Sequence, residues 1–122
     1  MIGQINYSTN WSWLALELDL GRLYRRLFLR TFGIKLQRPS NGEHITLTSV
    51  YERQSISPWK LREYDFLSFT LGSVLWTNGN AFWLDVLSEN IIEFRTSLGL
   101  GEPLISIHFC FGYRNEEKIC LL

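Results

Sequence analysis

"GEHITLTSVYE", residues 42–52, and "LISIHFCFGYR", residues 104–114, together hold both histidines of the chain. Each stretch is rich in β-branched and aromatic residues, the composition that suits a pleated, half-buried surface. In a strand, successive side chains point to opposite faces. His44, Thr46 and Thr48 then share one face, and Ile45, Leu47 and Ser49 share the other. In the second stretch His108, Cys110 and Gly112 fall together, and Ile107, Phe109 and Phe111 point away. Both strands thus turn apolar side chains toward a core and present an imidazole with a small side chain on the opposite surface.

Working outward, "EHITLTSVYER" (43–53) reads as the whole first histidine strand. Upstream, "NWSWLALELDLG" alternates Trp11, Trp13 and Ala15 against Ser12, Leu14 and Leu16, again a strand, with a helix starting at or just before Asp19. In "LGRLYRRLFLRTFG" the residues Leu20, Leu23, Tyr24, Leu27 and Phe28 follow the helical apolar stripe, while Arg22, Arg25, Arg26 and Arg30 occupy other faces as a solvated surface, with nucleic-acid contact as the alternative. Gly33 is a stop signal. "IKLQRPSNG" connects, with room for a short strand before Pro39. Past the first histidine strand, "QSISPWKLREYD" is a loop or boundary marked by Pro58. "FLSFTLGSVLW" and "AFWLDVLS" form a hairpin about the turn "TNGN". "SENIIEFRTSLGLG" is a helix capped by Ser88 and ended by Gly99 and Gly101. "PLISIHFCFGYR" is the last clear strand, and "NEEKICLL" is an edge strand or a packed tail.

The order is therefore strand, helix, histidine strand, then hairpin, helix, histidine strand. This predicts one α+β domain over residues 1–122, pseudo-symmetric, with halves of about 1–55 and 56–122. Each half contributes one histidine.

Composition narrows the function. Nearly half the residues are hydrophobic, which suits a folded globular chain and argues against disorder. Twelve basic and twelve acidic residues cancel, so any anionic ligand must be held by a local cluster rather than a global field. The amino terminus lacks the pattern of a signal peptide, and no apolar run reaches the roughly 20 residues needed to span a bilayer. Cys110 and Cys120 are too few for a disulfide framework or a zinc site. The expectation is a cytoplasmic monomer that does not engage membranes.

Two histidines and a hydroxyl converging on one cleft suit phosphodiester cleavage. A neutral imidazole can take a proton from water or a ribose hydroxyl, and a protonated one opposite can donate to the leaving alkoxide. Thr46 could stabilise charge on a non-bridging oxygen. The recurring pattern His-x-Thr/Ser-apolar resembles the two-histidine phosphoesterase superfamily. That group includes bacterial RNA 2′,5′-ligase-like proteins, cyclic nucleotide phosphodiesterases and viral enzymes that destroy oligonucleotide immune signals. "HITL" (44–47) matches the motif in full, and "HFCF" (108–111) matches in all but its third position, Cys110.

The resemblance implies a bilobal fold, with two small antiparallel sheets lining a cleft and helices outside. It implies metal-independent cleavage of RNA-like or cyclic oligonucleotide substrates by His44 and His108, with Thr46 and Cys110 on the phosphate and no cofactor. Which histidine is the base stays open. The compact chain is similar to viral members of the group. Tyr51, Arg53, Tyr113 and Arg114 follow the motifs at the strand ends and are candidates for gripping base or phosphate, and Trp59 and Tyr64 lie close by.

The alternatives are plainer. The two histidines could be half-exposed strand residues with no shared task, and Cys110 a small buried side chain. A thiol is a weaker donor than a hydroxyl, so a degenerate nucleotide or RNA binding module is the competing class, and a protein-interaction domain a third. A metal site is disfavoured, because two histidines without cysteine or carboxylate at ligand spacing leave an incomplete shell.

Overall fold

A computed structural model describes residues 1–8, 11–16, 18–40, 42–49, 52, 65–103 and 106–114. The elements run β1 (Ile2–Tyr7), β2 (Ser12–Ala15), α1 (Leu18–Phe32), β3 (His44–Thr48), β4 (Phe66–Ser68), β5 (Thr70–Thr77), β6 (Ala81–Leu87), α2 (Glu89–Ser97) and β7 (His108–Tyr113). They build an α+β structure with two antiparallel sheets, ordered β3-β2-β1-β4 and β5-β6-β7.

Both sheets are wound alike. A hairpin leads into a helix, and the next strand returns antiparallel onto the hairpin's second strand: β1-β2-α1-β3 in one sheet, β5-β6-α2-β7 in the other. β1 was not expected. Its alternation is visible in the burial of Gly3 and Ile5 between exposed Ile2 and Gln4, but Gly3, Gln4 and Asn6 dilute the β-forming signal. β4 then pairs with β1 and belongs to the first sheet. The expected continuous strand over 66–76 is therefore two strands, and the chain crosses between sheets at buried Phe69, beyond the boundary expected near residue 55. Met1 and Phe69 pin this crossing by exchanging hydrogen bonds of 2.9 and 2.8 Å.

Local signals set the helices. The Ser88 hydroxyl accepts from the Ile91 amide at 3.0 Å, capping α2 as expected. Gly33, at φ +70°, ends α1 in the left-handed conformation that glycine tolerates best. The short strand expected before Pro39 is a single bridge, Gln37 to Tyr113, on the outer edge of β7.

Packing crosses over. α1 follows the first sheet but packs chiefly against the second. Phe28 lies 4.7 Å from Phe82 and 6.3 Å from Phe111 between ring centroids, and Tyr24 lies 5.6 Å from Phe111. α2 follows the second sheet and packs against β3 and β4 of the first. The core includes Leu14, Ile45, Leu47, Leu84, Phe94, Phe109 and Phe111 from both sheets and α2. Burying each such side chain contributes about 1.5–3 kcal/mol.

The expected apolar stripe of α1 is accordingly narrower. Phe28 is buried and Leu20 and Tyr24 partly so, whereas Leu23 and Leu27 are exposed. Arg25 faces inward rather than toward solvent. No helix among the described residues is long and apolar enough to cross a membrane.

Candidate functional site

β3 and β7, the two histidine strands, are each an edge of their sheet, and they pack beside one another. Each histidine is the first residue of its strand. β3 is shorter than expected: it ends at Thr48, where Ser49 and Glu52 exchange hydrogen bonds of 3.1 and 3.3 Å. Ile45 and Leu47 are fully buried on the core side, as are Phe109 and Phe111 in β7. The imidazoles therefore lie on the faces turned away from that core.

Both rings are anchored in the same way. His44 Nδ1 lies 3.0 Å from the carbonyl oxygen of Gly42, and His108 Nδ1 lies 2.8 Å from that of Ser106. A carbonyl can only accept, so Nδ1 carries the proton in each ring. The neutral imidazole then offers its lone pair at Nε2, the atom a general base uses. Among the described residues, Nε2 has no hydrogen-bond partner in either ring.

The surroundings differ. His44 is only 6% exposed, with Trp11 edge-on to it at 5.2 Å, while His108 is half-buried with Trp83 at 6.0 Å. Burial holds the pKa of His44 below its ordinary 6.5, and positive charge on His108 pushes it the same way, against the raising influences of the Gly42 carbonyl and Glu43.

The threonines of β3 divide their work. Thr48 is fully buried and locked to Ser12, accepting from its amide at 3.1 Å and sharing a hydroxyl hydrogen bond at 2.5 Å. Thr46, half-buried, has a hydroxyl with no partner among the described residues. In β7 the equivalent position is Cys110, a buried thiol 3.8 Å from the Gly112 carbonyl oxygen.

Two arginines hold the histidine strands in place, and neither was foreseen. Arg25 of α1 donates to Glu43 at 3.1 Å and to the Phe111 carbonyl of β7 at 3.0 Å. Arg95 of α2 donates to Glu52 at 3.0 and 2.6 Å and to the Leu47 carbonyl of β3 at 2.8 Å. Each helix thus grips the other sheet's histidine strand at the third residue after the imidazole. Glu43, its side chain 1% exposed, is held by Arg38 as well, at 2.9 Å. Gly21 makes room for it, since a Cβ there would sit 2.7 Å from the carboxylate. Hydrogen bonds from Arg95 hold the Glu52 carboxyl below its ordinary pKa.

The remaining candidates scatter. Tyr113 is 1% exposed and packs with Ala81, Cys110 and Trp83, so its ring has no open face for a base and supports Cys110 instead. Arg114 is exposed and follows β7 at the end away from His108, about 20 Å along at ~3.3 Å per residue, too far to share one phosphate with it. Tyr51, Arg53, Trp59 and Tyr64 lie outside the described residues, as do Cys120 and the terminal segment "NEEKICLL". Among the described residues no group of three or more His, Cys, Asp or Glu is placed to hold a metal ion.

The tryptophans of the two sheets were not among the expected site residues. Trp13 is paired across the sheet with Thr46, and Trp83 with Cys110. Their signal was the alternation in "NWSW" and "AFWLD", which the strand assignment absorbed as packing. Compared with family models, curated proteins and solved structures, the chain finds no match.

Proposed function

We propose that this chain is a bilobal, pseudo-symmetric two-histidine phosphoesterase, cleaving RNA-like or cyclic nucleotide phosphodiesters without a metal ion. The observation that carries this reading is the twofold anchoring: two imidazoles on adjoining edge strands, each fixed through Nδ1 with Nε2 unpartnered among the described residues. The shared anchoring supports a common task for the two histidines.

Burial favours the neutral form of His44 and so supports it as the base, with the more accessible His108 opposite it as the acid. With a 2′,3′-cyclic phosphate, His44 Nε2 takes a proton from water as its oxygen bonds to phosphorus. The bond from phosphorus to one ribose oxygen breaks, and His108 Nε2–H supplies the proton that oxygen needs. With a linear 3′,5′ linkage, the adjacent 2′-hydroxyl is the nucleophile and the 5′-oxygen leaves. Thr46 donates to a non-bridging oxygen as charge accumulates there.

The test is a mass-spectrometric screen of wild type and His44→Ala against 2′,3′-cyclic nucleotides, short RNAs and cyclic oligonucleotides. Products formed by wild type alone support the reading; no product from any substrate rejects it.

Cys110 favours a second reading, a binding module that has lost turnover, because the thiol is a poor substitute for a hydroxyl on phosphate. Cys110→Thr separates the two. A gain in turnover supports an active site, and nucleotide binding without turnover in either form supports a binder.

A further inference from the structure

Four of the five tryptophans lie on the histidine-bearing faces of the two sheets; the fifth, Trp59, lies outside the described residues. On the first sheet Trp11 and Trp13 stack at 4.4 Å with planes 23° apart, and Trp11 meets the His44 ring. On the second, Trp76 is paired across strands with Trp83, and Trp83 lies against His108. Directly paired residues share a face. Trp13 stands opposite Thr46 and Trp83 opposite Cys110, so each sheet places an indole beside the second residue after its histidine.

Packing does not require this. Trp11, Trp13 and Trp83 are only half-buried, and Trp76 is 48% exposed, although apolar rings of this size gain most from full burial. Trp76 is also steered, its Nε1 donating to Asp85 at 3.0 Å, and Asp85 stands opposite His108 in the register. Flat rings held part-open on both sides of two imidazoles match a ligand with flat rings on both sides of one phosphate.

We infer that the site takes a dinucleotide unit, with one base against the Trp11–Trp13 pair and the other against Trp83, and the phosphodiester between His44 and His108. This rests on the phosphodiesterase reading and narrows it, favouring a linkage within an RNA or a cyclic oligonucleotide over a cyclic mononucleotide. Stacking on an indole tolerates any base, so affinity depends on the presence of a base more than on its identity.

The test is calorimetric binding of a 2′-deoxy dinucleoside monophosphate, which has no hydroxyl for internal attack, and of two analogues lacking one base or the other. Losing either base is expected to weaken binding about tenfold or more. Trp13→Leu is expected to abolish the benefit of one base and Trp83→Leu that of the other. Trp13→Phe and Trp83→Phe, which keep a flat ring, are expected to restore most of it and so exclude simple misfolding. Equal affinity with and without bases overturns the inference, as does equal weakening of all three ligands by the leucine variants. The two proposals fail separately. Base-dependent binding with no cleavage of the ribose form removes the catalytic reading and keeps the subsites. Cleavage of 2′,3′-cyclic mononucleotides with no gain from a second base does the reverse.

Discussion

At the residue scale, the strand His44–Thr48 holds two threonines with opposite fates. Thr48 is committed to Ser12, so Thr48→Ala orphans a buried hydroxyl and is expected to cost about 1–3 kcal/mol in denaturant unfolding. Thr46 has no partner among the described residues, so Thr46→Ala is expected to lower turnover while changing stability by less than about 0.5 kcal/mol. His44 also confers a pH dependence. Its folded pKa lies below the unfolded 6.5, so between those values the unfolded chain binds the extra proton. Its contribution to stability is fully present above 6.5 and is lost as pH falls below it. Unfolding measured from pH 7.5 down to 5 should show that decline, and His44→Gln should flatten it.

At the element scale, the arginine crossing explains how two edge strands hold their positions without pairing into one sheet. Arg25→Met leaves the buried Glu43 carboxylate with Arg38 alone and frees the Phe111 carbonyl, an expected loss of about 2–3 kcal/mol by denaturant titration. None of this was legible beforehand. The sequence offers Arg22, Arg25, Arg26 and Arg30 on one helix, and periodicity ranks all four as surface; only the approach of β7 draws Arg25 inward. The core faces were legible because alternation is local: Ile45, Leu47, Phe109 and Phe111 are buried as their spacing implied, but His44, Thr48, Cys110 and Gly112 on the opposite faces are buried too, which spacing alone does not show. β1 was missed because its polar and glycine positions mute the pattern, and its strand character comes from pairing with β2 and β4. Leu23 and Leu27 misled for a related reason, since a stripe shows which side of a helix is apolar but not how much of it a partner covers.

At the scale of the whole molecule, each helix is invested in the sheet it does not follow in sequence. The sheets are therefore expected to melt together. Far-ultraviolet dichroism and tryptophan fluorescence should give coincident transitions in wild type, and Arg95→Met should shift both midpoints equally. The same interlock sets β3 beside β7, and with them two similarly anchored imidazoles, on which the functional account depends. The most direct measurement is the rate of cleavage of a ribose-containing dinucleoside monophosphate in excess EDTA by wild type, His44→Gln and His108→Gln. The account predicts that wild-type turnover persists in the chelator and that each substitution lowers it by about 10²-fold or more. Turnover abolished by EDTA, or retained at the wild-type rate by either histidine variant, contradicts it.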